Sequence, residues 1–107
     1  MKLSEKIVVV FRSRLRADVD LQALEAAGMR MYELASAMPG FISYKDFTAA
    51  DGESVAIVEF SDAASLLAWR NHPEHVRMQQ RGREEFMAEY HIQVCRIERD
   101  YSFNMAG

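Results

Sequence analysis

A single cysteine, Cys95, has no partner within the chain, so no internal disulfide framework holds this sequence together. A reducing interior is the simplest setting for such a chain. There is no excess of positive charge either. The formal net charge is −3 at pH 7, which argues against a nucleic-acid partner, because that binding needs a basic face to displace counterions. No apolar run approaches the roughly 20 residues that cross a bilayer. The start, Met1 to Lys6, lacks the apolar core and small-residue cleavage site of a signal peptide. The chain is therefore expected to be soluble and cytoplasmic, with neither membrane nor nucleic acid among its partners. Linkers, low-complexity segments and short repeats are missing too, and 107 residues suit one domain, 1–107, with one core.

What is there reads as alternating strands and helices. Ile7 to Phe11 is a continuous, mostly β-branched apolar run that favours a strand buried on both faces, with Arg12, Arg14 and Arg16 marking its emergence into solvent. Asp18 or Asp20 can cap a helix, since a short carboxylate accepts from the free amides of a first turn. Beyond it Leu21, Leu24, Ala27, Met31, Leu34, Ala35 and Met38 recur at helical spacing until Pro39-Gly40 stops them. Phe41 to Phe47 reads as a strand, Asp51-Gly52 as a hairpin turn, and Val55 to Phe60 as the returning antiparallel strand. Ser61 or Asp62 caps a helix from Ala63 to Trp69. After a break at Pro73 the helix is expected to resume to about Ala88, and a last strand to run from Ile92 to about Tyr101. The tail Asn104 to Gly107 shows no pattern.

Strand, helix, strand, strand, helix, strand is the ferredoxin-like βαββαβ order: an α+β fold with an antiparallel four-stranded sheet and its helices on one face. Helices on one face leave the other bare. Yet in the first strand Ile7, Val9 and Phe11 point one way while Val8 and Val10, also apolar, point the other. A second copy of the same sheet is the most economical cover, so a homodimer is expected.

The residues that chemistry tends to use gather in Ala68-Trp69-Arg70-Asn71-His72-Pro73-Glu74-His75, which holds the only Trp and two of the three His. Trp69 can wall a pocket for a flat aromatic molecule or simply fill the core. His72, directly before Pro73, suits a helix cap. His75 falls in the first helical turn, where the positive end of the dipole disfavours the imidazolium. A neutral imidazole there could take the proton of a phenol; the plainer reading is a surface or capping histidine. Gln79 and Arg83, four apart, share a helical face and could hold a carbonyl or phenolate oxygen, or could be solvated. The polar run Gln79 to Arg83 in mid-helix is either solvated or faces a polar cavity. His72 and His75 also suggest metal ligands, with Glu74 or His91 as a third, but their spacing crosses a helix break and no metal site is expected. Cys95 in a strand reads as a packed residue.

Taken together, Met38-Pro39-Gly40-Phe41, Glu59-Phe60-Ser61-Asp62, Ala68-Trp69 and His72-Pro73-Glu74-His75 give the chain a family likeness. It resembles the antibiotic biosynthesis monooxygenase family of dimeric α/β-barrel proteins, over roughly residues 5 to 101. The resemblance implies a ferredoxin-like domain pairing as a dimeric barrel, with a pocket between sheet and second helix. It also implies an activity drawn from cofactor-independent oxygenases of phenols, quinol oxygenases, haem-degrading enzymes or members without known activity. The haem-degrading members pair a first-strand Asn with a Trp and a His ten residues beyond it. Here Ile7 to Phe11 has no Asn and Gln79 stands ten after Trp69. The phenol oxygenases carry an Asn one turn before the Trp, where this chain has Ser65. The expectation is thus a small monooxygenase that needs no cofactor and no metal and acts on an aromatic phenol or quinol. His75 and Arg83 would be catalytic, with Trp69, His72 and Gln79 around the substrate. The alternative is a non-catalytic ligand-binding or regulatory dimer, and haem binding is a distant third.

Overall fold

The computed structural model describes residues 5–105, so the last two residues of the unpatterned tail lie outside the described ones. The elements are β1 (Ile7–Leu15), α1 (Leu21–Ser36), β2 (Phe41–Thr48), β3 (Ser54–Phe60), α2 (Ala63–Arg70), α3 (Pro73–Arg81) and β4 (Met87–Arg96), with a π-helical turn at Gly82–Phe86. The strands form one sheet in the order β2-β3-β1-β4, and every neighbouring pair is antiparallel. This is the expected ferredoxin-like α+β arrangement. No helix among the described residues is long and apolar enough to cross a membrane.

Local signals set the helix starts. Asp20 caps α1 by accepting from the Ala23 amide at 3.1 Å, and Asp62 caps α2 through the Ser65 amide at 2.8 Å. At the end of α1 the chain turns through Gly40, whose φ of +84° is open to glycine at no steric cost. The Ser61 amide then donates to the Gly40 carbonyl at 2.7 Å, tying the start of β2 to the end of β3.

Two boundaries differ from the sequence expectation. β1 does not leave the sheet after Phe11 but runs on to Leu15. Its arginines are held by carboxylates on neighbouring chain segments: Arg12 pairs with Glu53 at 3.0 Å, and Arg14 with Asp51 at 2.9 Å and Glu89 at 3.4 Å. That longer β1 gives β4 a longer template, and β4 pairs with it from Met87 to Arg96, about five residues earlier than Ile92–Tyr101. The helix expected to reach Ala88 accordingly stops short. Arg16, just past β1, donates from its guanidinium to the carbonyls of Arg83 and Met87, and its amide donates to Phe86 at 2.9 Å. Those contacts hold the wide turn in which the Met87 amide reaches back to Gly82.

The core lies between the helices and one face of the sheet. Phe60 has no exposed surface, and Ile7, Ala35, Leu66 and Trp69 are buried around it, with Val9, Phe41 and Val58 packed at the margin. Residues opposite one another in register share a face, so the other face carries Val8 and Val10 beside Ile57 and Cys95. Its centre is apolar and its margin polar: Glu59, Gln93, Arg12 and His91 fall on the same side. No helix covers it. Beyond β4, Tyr101, Phe103 and Met105 are 84%, 90% and 88% exposed. The radius of gyration, 15.2 Å, exceeds the roughly 13 Å of a compact chain of this length.

Candidate functional site

Proline sets the corner at which the site is built. Pro73 occupies the first turn of α3, and His72 caps that helix, its Nδ1 accepting from the Glu74 amide at 3.1 Å. With its acceptor nitrogen so engaged, His72 is tied to the backbone; its ring lies 5.9 Å from that of Trp69. His75 follows one turn later and stacks on the indole, with centroids 4.3 Å apart and planes 21° from parallel. Trp69, His72 and His75 are thus brought together, as the sequence places them, with the indole only 7% exposed.

His75 is the least settled group of the three. Its Nδ1 is buried and has no hydrogen-bond partner. Burial pushes the imidazole below its ordinary range. The backbone carbonyls of Trp69 and Arg70 favour protonation, while the nearby charges of His72 and Arg70 oppose it. The carbonyls lie near the ring, but neither makes a bond of good geometry to Nδ1. The neutral form is therefore favoured at neutral pH.

This shift has a consequence for stability. Because folding lowers the His75 pKa, the unfolded chain binds a proton that the folded chain refuses between the two values. The contribution is intact above about pH 6.5 and is lost as pH falls through the lowered folded value. The carboxylates Asp51, Asp62, Glu74 and Glu85, held below their ordinary range by amides or arginines, lose theirs only below about pH 4. Urea unfolding between these limits is expected to show falling stability with acidification, and a flatter profile in His75→Gln. Equal slopes in the two proteins would contradict the burial argument.

Gln79 and Arg83 are not a matched pair. Gln79 is half-buried on α3, whereas Arg83 is exposed in the wide turn. The Arg83 guanidinium donates to the Tyr90 hydroxyl at 3.1 Å, and Tyr90 stacks on Phe11 at 5.6 Å. Tyr90 belongs to a strip that the sequence reading missed. Val9 packs against the helix-side core, and its register partner Val94, with Ile92 and Tyr90 at alternate positions, shares that face. Yet Val94, Ile92 and Tyr90 are 53%, 41% and 38% exposed. They form an apolar floor that no helix fully covers, with Arg83 at its edge. Alternation along Tyr90, Ile92 and Val94 would have signalled it, had β4 been started at Met87.

Two of the four residues considered as metal ligands, Glu74 and His72, are otherwise engaged. The Glu74 carboxylate takes both arms of Arg30, at 3.0 and 3.1 Å, and His72 is a cap. No cluster of three or more His, Cys, Asp or Glu placed to hold a metal occurs among the described residues.

The Trp69–His75 stack and the exposed apolar strip of β4 sit on a fold shared with known proteins. The structure matches that of Rv0793 from Mycobacterium tuberculosis with a TM-score of 0.78 at 23% identity, covering 91% of this chain and 99% of that one. It also matches a variant of SnoaB, a cofactor-independent oxygenase from Streptomyces nogalater, with a TM-score of 0.76 at 14% identity, over 90% and 96% of the two chains. In sequence, the uncharacterized protein YqjZ of Bacillus subtilis (strain 168) is 28% identical over 74 residues, which is 69% of this chain and 65% of that protein. Residues 6–81 match the antibiotic biosynthesis monooxygenase family, and the chain belongs to it.

Proposed function

We propose that the protein is a small cofactor-independent monooxygenase acting on an aromatic molecule of phenol or quinol type. The observation that carries this reading is His75, neutral by burial and stacked on Trp69, with Nδ1 lacking a partner. The imidazole takes the phenolic proton, giving an anion rich enough in electrons to react with dioxygen. A carbon–oxygen bond forms to one atom of O2, giving a peroxide. His75 returns its proton as the O–O bond breaks, and the second oxygen atom leaves as water with the two hydrogens the substrate gives up. Phenol and O2 become quinone and water, so atoms and electrons balance without an external reductant. In this reading Arg83, which donates to the Tyr90 hydroxyl at the edge of the floor, stabilises the developing oxyanion, and Gln79 and Trp69 bound the ring. His72 orients the corner through its cap.

The bare apolar sheet face and the exposed Tyr101, Phe103 and Met105 support a homodimer as the working form, and the lone cysteine suits a cytoplasmic setting. The buried state of Trp69 favours a second reading, a non-catalytic dimer that only binds a small ligand. Oxygen uptake by chelator-treated, flavin-free protein with a panel of hydroquinones separates the two. Uptake that depends on protein supports the monooxygenase. Thermal stabilisation by the same compounds with no uptake would leave only the binding module.

A further inference from the structure

Between α1 and α3 lies a hollow of about 530 Å³. That lies within the roughly 300–1,000 Å³ range of small-molecule clefts. The α1 wall is made of small residues, Ala23, Ala26 and Ala27, and Met31 and Met78 supply further apolar surface from the two helices. Small side chains on one helix face long polar ones on the other, so the gap is not closed by interdigitation.

The polar lining is mostly cationic: Arg30, Arg77 and Arg81 against one carboxylate, Glu74. Two of those cations are already engaged. Arg30 bridges the helices to Glu74 at 3.0 Å and also reaches Glu33 at 3.2 Å, and Arg81 pairs with Glu85 at 2.7 Å. Arg77 has no ion pair among the described residues; it acts on Glu74 only through its field. An arginine with five donors thus faces an apolar-walled cleft, in a chain whose net charge is −3.

The geometry points to this hollow as a binding site for an amphipathic organic carboxylate, its slim apolar body along the alanines of α1 and its head on Arg77. The site shares no lining residue with the His75 corner and stands whether or not that corner is catalytic. A carboxylate suits it because Arg77 can give two parallel bonds to a planar anion, and because the alanines and methionines beside it offer apolar surface to the rest of the molecule.

The test uses octanoate as probe, with octanol as its uncharged counterpart, on the full-length protein, by calorimetric titration and amide-shift mapping. Octanoate is expected to bind saturably, shifting amides in Ala23 to Met31 and Glu74 to Arg81, and about tenfold or more tightly than octanol. Arg77→Gln should abolish that preference by removing the head-group contact, without a change in melting temperature. Ala26→Leu should weaken both probes by filling the hollow. Salt should weaken octanoate alone. The proposal is overturned if octanoate does not saturate, if octanol binds equally, if Arg77→Gln retains the preference, or if the shifts fall elsewhere.

Discussion

Gly40→Ala is expected to cost about 3 kcal/mol, from roughly equal contributions of an unfavourable backbone conformation and of overpacking. The first contribution arises because Gly40 sits at φ +84°, which an L side chain rarely adopts. The second arises because an added Cβ would overlap Cβ and Oγ of Ser65 and come within 2.8 Å of Ser61 Oγ. Ser65 belongs to the first turn of α2, one turn before Trp69. The strain therefore acts on the helix that carries the indole. A fall in melting temperature of about 15 °C should accompany the substitution. Adding Ser65→Gly should recover only part of the loss, since it relieves the overlap with Ser65 but leaves the backbone strain and the Ser61 approach and adds a glycine to α2. A melting temperature within a few degrees of the parent would contradict a close Gly40–Ser65 approach.

The second large effect concerns chemistry. His75→Gln should lower oxygen-dependent turnover by about 10²–10⁴, the usual worth of a general base. Glutamine keeps polarity and approximate size but cannot take a proton at neutral pH. If His75 is the base, the loss should fall on kcat more than on KM, because the substitution removes proton transfer and leaves the surrounding packing intact. Since burial lowers the His75 pKa, the parent protein should keep its activity further into acid than an ordinary histidine allows. The acid limb should disappear in the variant. Turnover within a few-fold of the parent, in a variant with unchanged circular dichroism, would remove His75 from the mechanism.

What the sequence made legible was whatever local chemistry decides. A carboxylate before an apolar helical repeat specified the caps at Asp20 and Asp62, and Asp51-Gly52 specified the β2–β3 turn, where Gly52 has φ +91°. Pro73 after His72 fixed both the helix break and the cap. The Trp69–His75 stack was partly legible for the same reason, as the two residues lie either side of that break.

The errors sit where distant segments decide. Nothing near Arg12 announces that Glu53, Asp51 and Glu89 will hold β1 in the sheet as far as Leu15. Nothing near Ala88 announces that Arg16 will take carbonyls at Arg83 and Met87 and turn a helix into the start of β4. Misplacing β4 hid Tyr90 and Ile92 from the site, and with them the partner of Arg83. The hollow between α1 and α3 was hidden for a related reason. An alanine stripe at helical spacing reads as packing until the long side chains opposite it are known.

The most direct test of the central claim is the fate of dioxygen itself. The metal-free, flavin-free protein is supplied with a turned-over hydroquinone or phenol under isotopically heavy oxygen gas, and product and water are analysed by mass spectrometry. One heavy atom is expected in each product molecule and the other in water, with both signals lost in His75→Gln. Product with only light oxygen, or a labelled product formed equally well without the protein, would contradict that claim.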